Sequence, residues 1–344
     1  MRLRSITLIT VLLLGISPSA NSYTALTIDQ IPGVFKELTA NRALANPAVV
    51  LIDIKSRQVV FSRDGNGLRR PASTLKVLSA MSALDYLEPT TTFNTTIYKT
   101  DLRNTFQIVG EFDPSITPDY QLAKSENFIW SNFLVNKIRA NSKSRNITIR
   151  YYGITSRTQI NMSNTFRRMG YRVAWRPVNQ ANSATHLAAE ITSVNSPDLA
   201  TILKHTLLWS ENYYAEYLAR IAAMKAGYTY DGSGINKVFH DVLNRAEIPN
   251  PELSVKDGSG LSGQNKISAL TLAQTLVKIY DDPKYKTLIE GLPVGGVSGT
   301  LKSRFLNTAP QGVGLVRAKT GTLNGVVNLA GYIDSGVHEY AFVV

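Results

Sequence analysis

No cysteine occurs in this 344-residue sequence. That excludes disulfides, thiol nucleophiles and cysteine-based metal sites. Stability must then come from the hydrophobic core, which a chain this long can build. Histidine is almost as scarce: His186, His205, His240 and His338 are the full set. A Ser-His-Asp hydrolase would have to use one of these four, and no G-x-S-x-G elbow is there to present a serine to it. Neither H-E-x-x-H nor a phosphate-binding glycine loop occurs. Beyond Ile16, no apolar run is long enough to span a bilayer. Acidic residues are few, with 25 Asp and Glu against 37 Lys and Arg, a formal net charge of +12.

What is present reads as an exported globular chain. Hydrophobic residues at 44% and charged residues at 18% are ordinary for a soluble fold and argue against disorder. Met1-Arg2-Leu3-Arg4 is a positive start, residues 6–16 are apolar, and Ala20-Asn21-Ser22 supplies small residues at a cleavage site. A signal peptide over 1–22, cut after Ser22, is expected, with an uncleaved anchor as the alternative. The absence of cysteine near that site argues against a lipid anchor. Loss of Arg2 and Arg4 leaves a charge of about +10. The charge is uneven, because residues 137–176 hold ten Lys and Arg and no Asp or Glu. Such a block can bind nucleic acid. In an exported chain an anionic envelope polymer or a membrane surface fits better, and nucleic acid is not expected. A solvated basic face is the plain alternative.

Along the chain, Asp29 is placed to cap a short helix ending near Thr39. Residues 47–54 and 58–62, rich in Val, Ile and Leu, read as a hairpin. Leu75, Leu78, Met81, Leu84 and Leu87 recur every three residues after Ser73, the buried stripe of a helix that starts at that serine. Residues 88–189 differ, being dominated by Thr, Asn and Arg, with short alternating runs that suggest strands. They read as an inserted mixed α/β domain. From Pro197 the pattern is helical again, with a break at Ser210 and another helix over 267–280. Residues 257–263 form a Gly/Ser loop, and 314–320, 326–333 and 339–344 read as late strands.

Three short motifs occur in order: Ser73-Thr74-Leu75-Lys76, Ser210-Glu211-Asn212, and Lys319-Thr320-Gly321 followed by Thr322. They match the S-x-x-K, S-D-N and K-T-G set of penicillin-binding proteins and β-lactamases. Three residues along a helix put Lys76 beside Ser73. A serine hydroxyl needs a base to become a nucleophile, and a lysine can serve once burial lowers its pKa. The helix start also favours negative charge near Ser73. Ser210 and Asn212 can face one cleft, Asn212 to hold a substrate amide and Ser210 to relay a proton. Lys319 and Thr320, on an apparent edge strand, can bind a substrate carboxylate, and such an edge can pair with an extended peptide. The backbone N–H groups of Ser73 and Thr322 are candidates for an oxyanion hole. Each motif alone has a plain reading as a cap or a turn. Their joint occurrence in order carries the argument.

Longer stretches resemble the low-molecular-mass class C penicillin-binding proteins, the D-Ala-D-Ala carboxypeptidase/endopeptidase family. These are Pro71-Ala72-Ser73-Thr74-Leu75-Lys76, Val194-Asn195-Ser196-Pro197 with Ser210-Glu211-Asn212-Tyr213-Tyr214-Ala215-Glu216, and Asp257-Gly258-Ser259-Gly260-Leu261-Ser262. Further matches are Leu292-Pro293-Val294-Gly295-Gly296, Gly299-Thr300-Leu301 and Val316-Arg317-Ala318-Lys319-Thr320-Gly321-Thr322-Leu323. Ile108-Val109-Gly110 with Asp113-Pro114 is similar to a fragment of the family's inserted region. The resemblance is thin over 125–184. It implies an α+β fold of the penicillin-binding/β-lactamase type: a central antiparallel sheet flanked by helices, a helical region, and an inserted mixed α/β domain. The penicillin-binding domain would take residues 23–87 and 190–344, and the insert 88–189.

The resemblance also implies a serine peptidase acting on peptidoglycan peptides through an acyl-enzyme, inhibited covalently by β-lactams, with no metal or cofactor. Ser73 would be the nucleophile and Lys76 its base. Ser210 and Asn212 would serve as relay and substrate contact. Lys319, with Thr320, Gly321 and Thr322, would hold the substrate. The sequence departs from the family in three places. Glu211 replaces the middle Asp, at a position given no chemical role. Lys76 and Ser210 lie 134 residues apart, shorter than is usual, so the insert is expected to be a single domain. Family members usually continue after the last strand with a covering helix, whereas this sequence stops at Val344. Either the sequence is truncated there or the N-terminal helix does more of the covering. A β-lactamase and a non-catalytic wall-binding protein remain as alternatives. Glu211 and Asp257 find no independent support as a glycosidase pair.

Overall fold

The computed structural model describes residues 26–344, so the expected signal at 1–22 lies outside them. Contacts divide the chain into two units, one formed by Met1–Glu88 with Leu203–Val344 and the other by Pro89–Ile202. In the first, Ile31–Thr39 (α1) buries Ile31 and Phe35. Its cap position is Gln30 rather than Asp29, with no side-chain cap. A proline near the helix start removes one donor that a cap would otherwise have to satisfy.

Val49–Asp53 (β1) is buried along its whole length, as an unbroken aliphatic run covered on both faces should be. It pairs antiparallel with Val59–Arg63 (β2). Leu68–Arg69 (β3) then leads into a 3-10 turn, Ala72–Leu75, and the helix Lys76–Tyr86 (α2). Ser73 therefore sits in the 3-10 turn, and the α-helix proper begins at Lys76. α2 buries Val77, Leu78, Ala80, Met81, Ala83 and Leu84, so it is a central helix apolar on every side rather than a striped one.

The second unit holds Asn94–Thr100 (β4), Thr105–Gly110 (β5), Tyr120–Glu126 (α3), Ser131–Ala140 (α4), Asn146–Tyr152 (β6), Ser156–Arg168 (α5), Arg172–Pro177 (β7) and Leu187–Asn195 (β8). Its sheet runs β7-β6-β5-β4-β8. β4 and β5 form an antiparallel pair, while β5, β6 and β7 are parallel and need helical crossovers between them. Ile97, Ile108, Ile149, Leu134, Met162 and Phe166 form its core. β8 pairs with β4 from Asn195 back to Leu187. The sequence boundary at 189 would cut this strand, whereas the structural division falls after Ile202.

Back in the first unit come Leu199–Trp209 (α6), which starts in the second, then Asn212–Lys225 (α7) and Gly232–Arg245 (α8). Ile267–Ser268 (β9), Ala269–Asp281 (α9), Lys286–Gly291 (α10), Val316–Leu323 (β10), Val326–Asp334 (β11) and Glu339–Val343 (β12) complete the chain. The antiparallel sheet runs β10-β11-β12-β1-β2, so β10 is an edge strand. One face packs Leu51, Leu329, Ile333, Tyr340 and Phe342 against Ile31 and Phe35 of α1 with Leu301 and Phe305. On the other face Tyr332 donates to the Leu276 carbonyl of α9 at 2.8 Å. β3 and β9 pair as a short ribbon, tying the approach to Ser73 to the segment after the Gly/Ser loop.

Candidate active site

The turn that carries Ser73 is clamped from two sides. Asn328 of β11 donates to the carbonyls of Arg70 at 2.8 Å and Pro71 at 2.7 Å. β10 comes so close that a Cβ on Gly321 would lie 2.8 Å from the Pro71 oxygen. On the other side a Cβ on Gly260, which has φ +81°, would meet the Ala72 carbonyl at 1.8 Å. Ala72 itself holds φ +48°, a left-handed conformation that costs a non-glycine residue about 1 kcal/mol or more. Strand, turn and loop together fix the half-buried serine.

Lys76 is fully buried, and its three hydrogens all have acceptors. Nζ donates to Ser73 Oγ at 2.8 Å, Asn212 Oδ1 at 2.7 Å and the Ser259 carbonyl at 2.6 Å. An ammonium has only three donors, so this cage satisfies the charged form. Burial nevertheless pushes its pKa down to about 8, with Asp257 and Glu211 pulling the other way. About one amine in ten is then neutral at pH 7.

The loop that supplies the Ser259 carbonyl is organised by Asp257. Its Oδ1 accepts from the backbone N–H of Ser259, Gly260 and Leu261 at 2.9, 2.7 and 3.1 Å and from Ser259 Oγ at 2.7 Å. Oδ2 accepts from Ser262 N at 2.7 Å and Asn265 Nδ2 at 3.2 Å. Burial raises the carboxyl's pKa, but these hydrogen bonds outweigh it and hold the group below its ordinary value. Glu216 accepts from Gly258 N at 2.7 Å and pairs with Arg220. Asp257, Ser259 and Glu216 thus belong to the site's framework, although the motif reading gave them no part. The Asp-Gly-Ser-Gly run was visible, but its carbonyl acceptor is a backbone property that no side-chain pattern announces.

Lys319 is also fully buried and donates to its neighbour's carbonyl, Thr320 O, at 2.9 Å. Burial, then the charge of Lys76, drives its pKa well below the usual lysine value. Thr320 shares a hydroxyl hydrogen bond of 2.9 Å with Thr300. The outer edge of β10 is occupied at Ala318, whose N–H reaches Pro293 O at 2.9 Å. By strand alternation the N–H groups of Thr320 and Thr322 also turn outward, and no described strand pairs there. Ser210 lies between α6 and α7 with φ +63°. Its hydroxyl makes no hydrogen bond to Ser73 or Lys76 among the described residues. Ser73, Lys76 and Asn212 are therefore in direct contact, and Lys319 is near enough to feel Lys76. The histidines hold other positions: His338 bonds Asp53 and His186 bonds Asp101.

A protein-family model described as the D-Ala-D-Ala carboxypeptidase 3 (S13) family matches residues 34–124 and 137–344. The stretch where the resemblance was thin narrows to an unmatched 125–136. The chain is 35% identical over 144 residues to the penicillin-sensitive carboxypeptidase A of Dictyostelium discoideum, covering 41% of this chain and 27% of that protein. It is 36% identical over 155 residues to a D-alanyl-D-alanine carboxypeptidase of Actinomadura, covering 43% and 28%. The matched stretches span less than a third of those relatives' length. In structure the chain is similar to penicillin binding protein 4 of Haemophilus influenzae, with TM-score 0.69 at 17% identity over 86% of this chain and 89% of that one. It is also similar to a penicillin G acylated predatory endopeptidase of Bdellovibrio bacteriovorus, with TM-score 0.60 at 18% identity over 86% and 84%. Likeness at this identity speaks to the fold, which is the α+β penicillin-binding type expected from the motifs.

Proposed function

The chain belongs to the D-Ala-D-Ala carboxypeptidase 3 (S13) family, and from that membership we propose that it is a serine-type D-Ala-D-Ala carboxypeptidase acting on peptidoglycan stem peptides. The observation that carries the proposal is the 2.8 Å contact between Lys76 Nζ and Ser73 Oγ, in an enclosure that brings the amine to about 8. Neutral Lys76 takes the Ser73 proton as Oγ attacks the carbonyl of the penultimate D-Ala. The developing oxyanion is held by the N–H groups of Ser73 and Thr322. Lys319 and Thr320 bind the terminal carboxylate, with Gly321 keeping β10 close to the turn. The free edge of β10 aligns the peptide as an added strand. Asn212 holds a substrate amide, and Ser210 passes a proton to the departing D-Ala. Water then hydrolyses the ester, and Ser73 regains its proton.

A β-lactam presents the same carbonyl and carboxylate, so it acylates Ser73. Export by the 1–22 segment places the enzyme at its polymer. Mass spectrometry of purified pentapeptide muropeptides after incubation tests the reading. Loss of one alanine is expected, and splitting of cross-linked dimers would add endopeptidase action. No change in either substrate with well-folded protein rules the proposal out.

A further inference from the structure

The second unit carries a polar groove that the catalytic reading does not use. It has a volume of about 350 Å³ and is lined by Pro118, Asn161, Asn164, Arg167 and Arg168. Asn161, Asn164 and Arg168 fall three and four residues apart on α5 and so share one face of that helix. Arg168 donates to Thr165 Oγ1 at 3.1 Å, and Thr165 in turn bonds Asn132 at 2.7 Å, which steadies the guanidinium. Neither Arg167 nor Arg168 is in an ion pair among the described residues, and residues 137–176 contain no carboxylate to supply one. Asn161 Nδ2 is a buried donor with no acceptor. Beside the groove, Trp130 Nε1 donates to the carbonyl of the lining residue Pro118 at 3.3 Å. The Trp130 ring meets Tyr120 edge-on at 5.1 Å, and Tyr120 is 53% exposed.

We infer that this groove binds an anionic glycan, namely the peptidoglycan strand with its free peptide carboxylates. The inference rests on the proposal that peptidoglycan is the substrate. Two guanidinium groups in no ion pair among the described residues suit carboxylates, which arginine holds by paired hydrogen bonds. Charge alone would suit any polyanion. The asparagine amides, with the exposed Tyr120 ring close to the lining residue Pro118, narrow the choice, because amides match sugar hydroxyls and a ring covers the apolar face of a sugar. The groove's volume lies at the small end of ligand pockets, enough for a short saccharide unit rather than a folded partner. Held this way, the enzyme stays on the strand while successive peptides are trimmed.

The test uses the full chain with Ser73→Ala, so that the polymer is bound but not consumed, and measures sedimentation with purified sacculi. Adding Arg167→Glu with Arg168→Glu is expected to weaken binding about tenfold and to flatten its dependence on salt. Tyr120→Ala is expected to weaken it severalfold while leaving the salt dependence in place. In the active chain, the double charge reversal is expected to leave D-Ala release from a soluble peptide unchanged and to slow release from sacculi. Sacculus binding that survives the charge reversal overturns the inference, as does equal binding to anionic phospholipid vesicles. A parent chain with no activity on the soluble peptide, whose sacculus binding is nevertheless weakened by the charge reversal, defeats the catalytic proposal and upholds this site.

Discussion

Replacing Lys76 by methionine removes a buried amine at nearly constant side-chain length, and the structure says what that should do to stability. In the unfolded chain the amine titrates near its ordinary 10.5, and in the fold near 8. The difference corresponds to about 3 kcal/mol. Its sign is destabilising where the amine is charged, because the unfolded chain binds the proton more tightly. Below pH 8 the full cost is present. As pH rises from about 8 to 10.5 the folded amine is already neutral while the unfolded one is not, so stability increases by up to that amount. Lys319 adds in the same direction, since it too is held down by burial and by Lys76. Removing Lys76 relaxes Lys319 toward its ordinary value and shrinks its own rise. The assay is urea unfolding of the parent and Lys76→Met at pH 7, 8.5 and 10; groups that do not interact with Lys76 cancel in the difference, while the relaxation of Lys319 adds to it with the same sign. The parent should gain up to about 3 kcal/mol relative to the variant across this range, while the variant loses acylation by about 100-fold or more. Parallel stability curves would refute the claim that the amine is held below its ordinary pKa.

The same amine sets the pH dependence of acylation. Because only neutral Lys76 accepts the serine proton, the second-order rate with a β-lactam should rise with pH and reach half its plateau near 8. Glu211→Gln removes one of the two charges that pull Lys76 upward, so the midpoint should move to lower pH; a midpoint that stays or rises contradicts the assignment. Gly260→Ala forces a Cβ to 1.8 Å from the Ala72 carbonyl at φ +81°. It should destabilise the fold by about 2 kcal/mol or more, seen as a lower urea midpoint at unchanged slope.

Much of the first unit was legible because its signals are local. The aliphatic run of β1 and the short β-branched strands β10, β11 and β12 announce themselves by composition. The three motifs locate Ser73, Lys76, Asn212 and Lys319 before any geometry is known. The second unit was less readable. α5 buries only Thr158, Met162, Thr165 and Phe166, so two threonines stand where a periodicity search looks for apolar residues. β8 is largely exposed or half-buried, which hid its membership in the insert's sheet. At the site, the positive φ of Ala72 and the Ser259 carbonyl on Lys76 are consequences of tertiary clamping. Ser73 falls in a 3-10 turn for the same reason: Asn328 holds the Pro71 carbonyl from the sheet side, where Gly321 lets the strand come close.

The most direct test of the account is to incubate the folded protein with a labelled penicillin and map the adduct by peptide mass spectrometry. One covalent label per chain is expected, on the peptide containing Ser73, and its loss in Ser73→Ala. A label on any other residue, or none on well-folded protein, would contradict it.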